Sequence, residues 1–242
     1  VAPGNRSFLY NPRLDTWRPV HNGPAERPEH LITLKNGKVL AIARGGASSL
    51  YDPPTNAFIP TGSTLVSRSR AAATMLKSGK VLLTGGWSNG TVATSELYDP
   101  QTGTWSNGPS MLNGRNYHNA VTLQDGTVLV FGGSVSPSPS QGQVKDAAQT
   151  ERFDPVTNQW TASGEMLFPG RGQGVTVMLD GRVFAAGGSV VNDPQPGADE
   201  TVIAQIFSPT PDVTAPSISM PTQAFSFSTG SAWSGVVSET AP

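Results

Sequence analysis

Residues 114–133, GRNYHNAVTLQDGTVLVFGG, decide the fold, because two short apolar runs flank an Asp-Gly dipeptide and the second run ends in a double glycine. Two apolar runs around Asp125-Gly126 predict a β-hairpin with a two-residue turn, since both turn positions must accept a positive φ. The same stretch holds Tyr117 next to His118, a pair that could serve chemistry or simply belong to a repeating sheet. The rest of the chain bears on that choice.

The hairpin recurs, as LITLKNGKVLAIARGG (31–46), ATMLKSGKVLLTGG (73–86) and VTVMLDGRVFAAGG (175–188). A second hairpin alternates with it, in which an apolar strand leads into an Asn-Pro or Asp-Pro turn and a large aromatic residue follows six positions after the Asn or Asp. Each repeat therefore contains four antiparallel strands, which we name A to D. The aromatic residues of strand D are Trp17, Phe58, Trp105 and Trp160.

Such a unit cannot bury both faces of its small sheet alone, so copies must pack against one another, and radial stacking is the usual solution. The apolar run ending in a double glycine, the aromatic before Asp-Pro and the following Trp resemble a kelch-repeat β-propeller over about residues 8–207. The resemblance implies an all-β, kelch-type β-propeller of four-stranded antiparallel blades. The first copy has its glycines two residues late, so we expect Ala43-Arg44 to take the usual glycine positions and that blade to be irregular.

The composition excludes several function classes. The chain of 242 residues carries 16 basic and 17 acidic residues, so neither a nucleic-acid groove nor an anionic membrane surface is expected. No apolar stretch approaches the about 20 residues of a membrane span. The absence of cysteine removes disulfides, thiol nucleophiles and thiolate metal sites. Low Lys and Glu content with much Ser, Thr and Gly suits a secreted bacterial protein, and we expect an extracellular or cell-surface location and a mature or excised start at Val1.

The variation in loop length predicts which face of the propeller binds a ligand. The distance from each Asx-Pro turn to the next hairpin glycine is almost constant, whereas the loop from strand B to strand C grows along the chain. Because the strands are antiparallel, the B-to-C and D-to-A loops share one face, and long loops on a rigid scaffold are where binding residues usually lie. In that face Trp87, in GGWSNG, could stack on a sugar or anchor a partner, or else cover the neighbouring blade. We expect a protein or glycan ligand there.

An arginine precedes each A-B turn glycine by ten or eleven residues, and a histidine follows it by three in two copies, as His118 does here. Because strand A lies nearest the propeller axis, we expect these arginines to ring the mouth of the central channel, where guanidinium groups could bind carboxylates or sugar acids. The alternative is structural: each arginine bonds carbonyls and an acidic group of the adjoining blade. The four residues are Arg27, Arg68, Arg115 and Arg171.

The last blade and the APSISMPTQ that follows it resemble the terminal blade and domain junction of the galactose oxidase family. The resemblance implies a copper ion with Tyr and His ligands early on strand A of that blade, after an arginine, and a tyrosine cross-linked to cysteine. Here Gln173 and Gly174 stand at the expected ligand positions, Tyr117-His118 lies one blade too early, and cysteine is absent. We therefore expect no metal and no cofactor in this chain. We interpret Tyr117 and His118 instead as residues at the channel mouth beside Arg115 and, with the four arginines and Trp87, as candidate ligand-binding residues.

We interpret residues 1–208 as propeller blades and residues 209–242 as a linker that leads into what resembles the beginning of an immunoglobulin-like β domain. The chain holds four to five blades' worth of sequence. Either its first C-D pair completes the last blade and closes a four-bladed ring, or, as we expect, it is the C-terminal portion of a larger propeller. The upstream blades would then be absent from this chain or lie on another chain or a self-assembly partner. The leading function is a non-catalytic binding module. The alternatives are a galactose-oxidase-like or other carbohydrate-active enzyme completed by residues absent from this chain, and a structural surface or adhesin spacer.

Overall fold

The computed structural model describes residues 7–24, 26–135, 145–189 and 204–208, all of which lie in the compact unit Val1–Pro211. Residues 209–242, with the expected linker and immunoglobulin-like beginning, lie outside the described residues. The described chain is built of β-strands joined by turns and loops. It contains no helix long and apolar enough to cross a membrane.

Four antiparallel sheets follow one another along the chain as blades I to IV of a propeller, each with strand A at one edge and the others in sequence order. Blade IV shows strands A to C within the described residues. Blade I contains β3 (Pro28–Thr33), β4 (Val39–Ala43), β5 (Ser48–Asp52) and β6 (Ala57–Pro60); blade II contains β7 (Ala72–Met75), β8 (Val81–Thr84), β9 (Ser95–Asp99) and β10 (Thr104–Asn107); blade III contains β11 (Asn119–Thr122), β12 (Val128–Phe131), β15 (Gln149–Asp154) and β16 (Gln159–Glu165); blade IV contains β17 (Gly174–Val177), β18 (Val183–Ala186) and β19 (Ala204–Phe207).

Two short hairpins complete the structure. A hairpin of β1 (Phe8–Asn11) and β2 (Thr16–Pro19) precedes blade I, and β13 (Ser134–Val135) pairs with β14 (Lys145–Asp146) in the B-to-C loop of blade III. The all-β, kelch-type propeller predicted from the repeats is confirmed, with the predicted strand order in each blade.

The turns form for the reasons expected from their residues. In the A-B turn of blade III, Gly126 adopts a φ of 95°, which a side chain would strain. In the C-D turn of blade II, the Asp99 carboxylate accepts the backbone N–H of Gln101 at 2.9 Å, which is an Asx turn. In blade I, Ala43 takes the usual glycine position, since it follows the Ile42–Ser48 pair as Gly85 follows the Thr84–Ser95 pair of blade II. The β3-β4 register also shifts between Pro28 and His30.

The core lies between the blades. The aromatic pairs of strands C and D in blades II and III pack on leucines of the preceding blade, as Tyr98 and Trp105 do on Leu34 and Leu40. The indole N–H of Trp105 also donates to the carbonyl of Gly62 in the connection between the two blades, at 2.9 Å. Blade stacking is therefore fixed both by burial and by a directed hydrogen bond.

The first hairpin carries the same aromatic pair in a different setting. The rings of Tyr10 and Trp17 lie 5.0 Å apart, much as Tyr98 and Trp105 do at 5.3 Å, yet the Trp17 side chain is 68% exposed. In the part of the chain that is described, β1 and β2 form a separate sheet and do not complete blade IV. This hairpin therefore offers an aromatic face of the kind that blades II and III pack against the preceding blade.

Side chains from one blade to the next close the face of the A-B turns. Lys35 donates to the carbonyl of Lys77, Lys77 donates to that of Gln124, and the Gln124 amide donates to the carbonyl of Leu179 at 2.8 Å. This turn face thus carries a regular ladder that serves the scaffold. The opposite face, where the B-to-C and D-to-A loops emerge, is the one with variable chemistry, and we call it the loop face.

Candidate functional site

Two of the four expected arginines form buried ion pairs. One guanidinium nitrogen of Arg68 lies 2.6 Å from the carboxylate of Glu96, and another donates to the carbonyls of Gly85 and Thr94 at 2.9 and 2.8 Å. Arg115 repeats this arrangement with Glu151, also at 2.6 Å. All four charged side chains are almost completely buried. Neither arginine therefore lines an open channel mouth.

The acidic partners of the two arginines were expected on the adjoining blade, and the structure corrects this. Glu96 and Glu151 stand on strand C of the same blade as their arginines, not on the adjoining blade. Their carboxylates also accept backbone N–H groups of the connection arriving from the preceding blade, as Glu151 does from Leu112 at 2.7 Å and Asn113 at 3.0 Å. Each pair thus joins a blade to the chain that enters it, which makes these arginines part of the scaffold.

The other two arginines occupy a different structural position. An isolated bridge joins Asn116 to Ser134 in blade III and Arg171 to Ser189 in blade IV, so Arg171 corresponds to Asn116 and Gly170 stands in the place of Arg115. The spacing of ten residues to the turn glycine, rather than eleven, signals this shift. The Arg171 side chain donates a hydrogen bond to the hydroxyl of Ser189 at 3.2 Å. Arg27, which shares the shorter spacing, is exposed. The four arginines are therefore not structurally equivalent.

The same register corrects the assignment of the expected ligand positions. Gly172 and Gln173, not Gln173 and Gly174, correspond to Tyr117 and His118, because β17 begins at Gly174 where β11 begins at Asn119. Tyr117 and His118 thus lie just before strand A of blade III, and their side chains diverge: Tyr117 is 39% exposed whereas His118 is buried.

His118 is built into the packing between blades II and III. Its Nε2 lies 2.9 Å from the hydroxyl of Thr84, and Nδ1 has no partner among the described residues. Burial, the charge of Arg115 and the nearby His30 hold the pKa of His118 well below its usual range, so the ring is neutral.

The described residues do not fit a copper site of the kind that the family resemblance implies. His118 is enclosed and bonded to Thr84, and Tyr117 points to the surface. Among the residues whose positions are described, no group of three or more His, Asp or Glu could hold a metal ion. All three histidines of the chain belong to this part.

Acidification is expected to destabilise the propeller through His118 and His30. The pKa of His118 is lowered by burial, and that of His30 is lowered by burial against the opposing charge of Glu29. Below about pH 6.5 each imidazole binds a proton in the unfolded chain but remains neutral in the folded chain. The free energy of unfolding therefore falls as the pH falls below that value, by up to about 1.4 kcal/mol per pH unit for each ring. Urea unfolding at several pH values between 5 and 8 measures this slope.

The matched variant is His118→Gln, which keeps a polar group near Thr84 but does not titrate. We expect it to flatten the slope between pH 5 and 6.5 by about half, leaving the share of His30. The carboxyls of Asp99, Asp125 and Asp180 have lowered pKa values, so the stability that they contribute is lost only at lower pH. They therefore do not affect the slope between pH 5 and 6.5. An unchanged slope in the variant would show that His118 is not the titrating group.

The exposed Tyr117 belongs to a row of residues that crosses the blades at the loop face. Its backbone N–H donates to the carbonyl of Arg70 in blade II at 2.9 Å, and its own carbonyl accepts from Gly172 in blade IV at 3.1 Å. The backbone N–H of Arg70 donates in turn to the carboxylate of Glu29 in blade I at 2.8 Å. We call Glu29, Arg70, Tyr117 and Gly172 the inner rim, because they directly precede or lie on the A strands through which neighbouring blades touch.

Backbone conformation and side-chain contact single out two members of the inner rim. Arg70 and Tyr117 adopt left-handed φ values of 58° and 55°, at the position where blade IV has Gly172 with 68°. Such a conformation is uncommon for residues with bulky side chains. The Arg70 guanidinium lies 4.7 Å from the centre of the Tyr117 ring, within cation–π range. Sequence reasoning missed Arg70, although it stands two residues after Arg68, as Tyr117 stands two after Arg115.

Trp87 lies at the same edge of blade II as Arg70. Its backbone pairs with Ser69, which precedes Arg70 in sequence, and with Thr91 across a short turn. The side chain remains 40% exposed. The structure thus leaves part of the indole open to solvent on the loop face, beside the inner rim.

Four stacked antiparallel blades with glycine A-B turns, Asx-Pro C-D turns and interblade aromatics define a β-propeller fold with kelch-type blades. Consistent with this, residues 68–112 match the Kelch motif family. A solved structure titled "Novel fungal alcohol oxidase with catalytic diversity among the AA5 family, in complex with copper" has the same fold, with a TM-score of 0.64 and 19% identity over 82% of this chain and 46% of the oxidase chain. This chain therefore spans less than half the length of that protein. No curated protein sequence matches it.

Proposed function

We propose that this chain is a non-catalytic binding module of a secreted or cell-surface protein, and that the inner rim together with Trp87 contacts a protein or glycan ligand. The observation that carries the proposal is Tyr117, whose ring is exposed while its backbone holds a left-handed conformation. Backbone strain of this kind persists where the surroundings impose it, and it concentrates at functional sites. The scaffold itself accepts glycine at that position in blade IV.

The exposed aromatic side chains give the proposed site its chemistry. Tyr117 and Trp87 combine large apolar faces with a polar tip, and such residues dominate the binding energy of many recognition surfaces. They stand on the loop face, whereas the turn face is occupied by the ladder from Lys35 to Leu179. A rigid scaffold with variable loops and two half-exposed aromatics supports recognition.

Binding should depend on both aromatic residues. In a glycan-array and pull-down screen of the whole chain, Trp87→Ala and Tyr117→Ala are each expected to weaken a ligand found with the wild type by tenfold or more, since anchors of this type contribute about 2 kcal/mol or more. Leu179→Ser, a fully exposed position on the turn face, is the control and should bind as the wild type does. A ligand whose affinity is unaltered by both aromatic substitutions would refute the proposed surface.

An enzyme completed by residues outside this chain is the competing function. It would require copper or another group held mainly by those residues, since the described ones do not form such a site. Copper analysis together with a peroxide-release assay on sugars and aldehydes separates the two, when it is made on a protein that contains both this chain and those residues. Stoichiometric copper with peroxide release would replace the binding module by an oxidase.

The exposed hairpin favours a second candidate, a structural spacer or self-assembling surface protein. Phe8, Tyr10 and Trp17 present an aromatic face whose counterparts in blades II and III are buried against the preceding blade. A further blade, on another chain or a self-assembly partner, would cover it in the same way. Concentration-dependent association without any small ligand would favour this candidate over the binding module.

A further inference from the structure

Arg70 differs from the two buried arginines that flank strand A in blades II and III. Arg68 and Arg115 each have a dedicated glutamate at 2.6 Å. Within residues 7–24, 26–135, 145–189 and 204–208, no carboxylate forms an ion pair with the Arg70 guanidinium. The guanidinium instead lies over the ring of Tyr117. Glu29, the nearest acid in the row, accepts the Arg70 backbone N–H and pairs with Arg44 at 3.9 Å.

The contact with Tyr117 prepares the guanidinium for a ligand. A planar guanidinium held against an aromatic ring keeps its N–H donors available, and these match the two oxygens of a carboxylate. The hydrogen bond from the backbone N–H of Tyr117 to the carbonyl of Arg70 fixes the two residues relative to each other across the blade boundary. Less side-chain freedom is therefore lost when the arginine engages an anion.

The charge near the inner rim favours a negatively charged ligand. Several arginines lie at the loop-face ends of the strands, either just before strand A or just after strand B. The residues near the inner rim are therefore more positive than the chain as a whole, which has a formal net charge of −1. Two glutamates, Glu26 and Glu29, stand among four arginines there, and a local excess of one sign attracts ligands of the opposite sign. The arginines are Arg27, Arg44, Arg70 and Arg171.

We propose that Arg70, positioned by Tyr117, binds the carboxylate of an acidic oligosaccharide built of uronic acid units. The exposed rings of Tyr117 and Trp87 favour a sugar over an acidic peptide, because a flat aromatic surface suits the C–H face of a pyranose ring while the arginine takes its carboxylate. The inference rests on the proposed function and names its ligand class.

Isothermal titration calorimetry with an oligogalacturonate tests this assignment. The wild type is expected to bind it, and methyl esterification of the same oligosaccharide should weaken binding at least tenfold because the carboxylate charge is lost. Arg70→Gln should cause a similar loss, and Arg70→Lys, which keeps the charge without the paired donors, an intermediate one. Arg152→Gln, an arginine that pairs with Asp125 near the turn face, is the control and should leave the affinity unchanged.

The possible results separate this inference from the proposed function. The melting temperatures of all variants should match that of the wild type, since Gln or Lys at position 70 adopts the same left-handed backbone conformation as Arg does. Binding of a neutral glycan that depends on Trp87 but not on Arg70 would keep the binding module and overturn the acidic ligand. Arg70-dependent binding of an oligoglutamate peptide without uronate binding would overturn the sugar. No binding of uronate by the folded wild type would also refute the assignment.

Discussion

Replacing Glu151 by leucine is expected to lower the free energy of unfolding by about 3–5 kcal/mol, because it leaves the guanidinium of Arg115 buried without its charged acceptor. The carboxylate also accepts two backbone N–H groups from Leu112 and Asn113, which lose their acceptor in the same variant. Equilibrium urea unfolding, followed by tryptophan fluorescence, measures the change. Few other single substitutions in this protein should destabilise it as much.

Two further variants make the result specific to burial. Asp125→Asn breaks the more exposed pair with Arg152 and should change stability by at most about 1 kcal/mol. The double variant Arg115→Met with Glu151→Leu removes both charges, and it should be more stable than Glu151→Leu alone, since an apolar pair leaves no uncompensated charge. A double variant as unstable as the single one would mean that the lost backbone hydrogen bonds, not the orphaned arginine, dominate.

The repeat predicted the fold because the signals for it are local. Asp125-Gly126 and its counterparts specify hairpins through the φ values that their turns need, and the aromatic six residues after Asp99 or Asp154 marks strand D. The interblade role of that aromatic also follows, because a small sheet with two apolar faces must be covered on both. No long-range information was needed for these steps.

The site was harder to predict because it depends on registers that differ by one residue. Arg171 and Arg115 both follow the repeat spacing to within one position, yet one residue of shift along a strand sends a side chain to the other face. That shift places Arg115 in a buried ion pair and Arg171 at the hydroxyl of Ser189. An approximate spacing therefore identified a set of residues that the fold does not treat alike.

Arg70 of the inner rim was missed for a related reason, although Tyr117 was predicted as a candidate binding residue. Tyr117 and Arg70 both have left-handed backbone just before strand A, a conformation that no residue type at these positions signals. The clue lay in comparing copies, since blade IV has glycine at the same place. Once that register is known, the glycine identifies the conformation that the other two residues must adopt.

Replacing Trp160 by alanine is expected to destabilise the propeller by about 3–5 kcal/mol, because the indole fills the space between blades II and III. It packs with Leu76 and Leu82 of blade II, and its ring centre lies 5.1 Å from that of Phe153. Its N–H donates to the carbonyl of Pro109 at 3.0 Å. The truncation therefore removes apolar burial and a directed bond together, and urea unfolding should show both as one large shift of the midpoint.

Trp17→Ala is the matched control, since Trp17 holds the same place in the repeat but is 68% exposed. At low protein concentration we expect a change of no more than about 0.5 kcal/mol, as for ordinary surface substitutions. If the hairpin face is covered by a further blade or a second copy, the effect of Trp17→Ala should instead grow with protein concentration or with addition of that partner, because a partner that binds only the folded chain stabilises it by mass action. A loss equal to that of Trp160→Ala at every concentration would mean that this ring is already buried within a single chain.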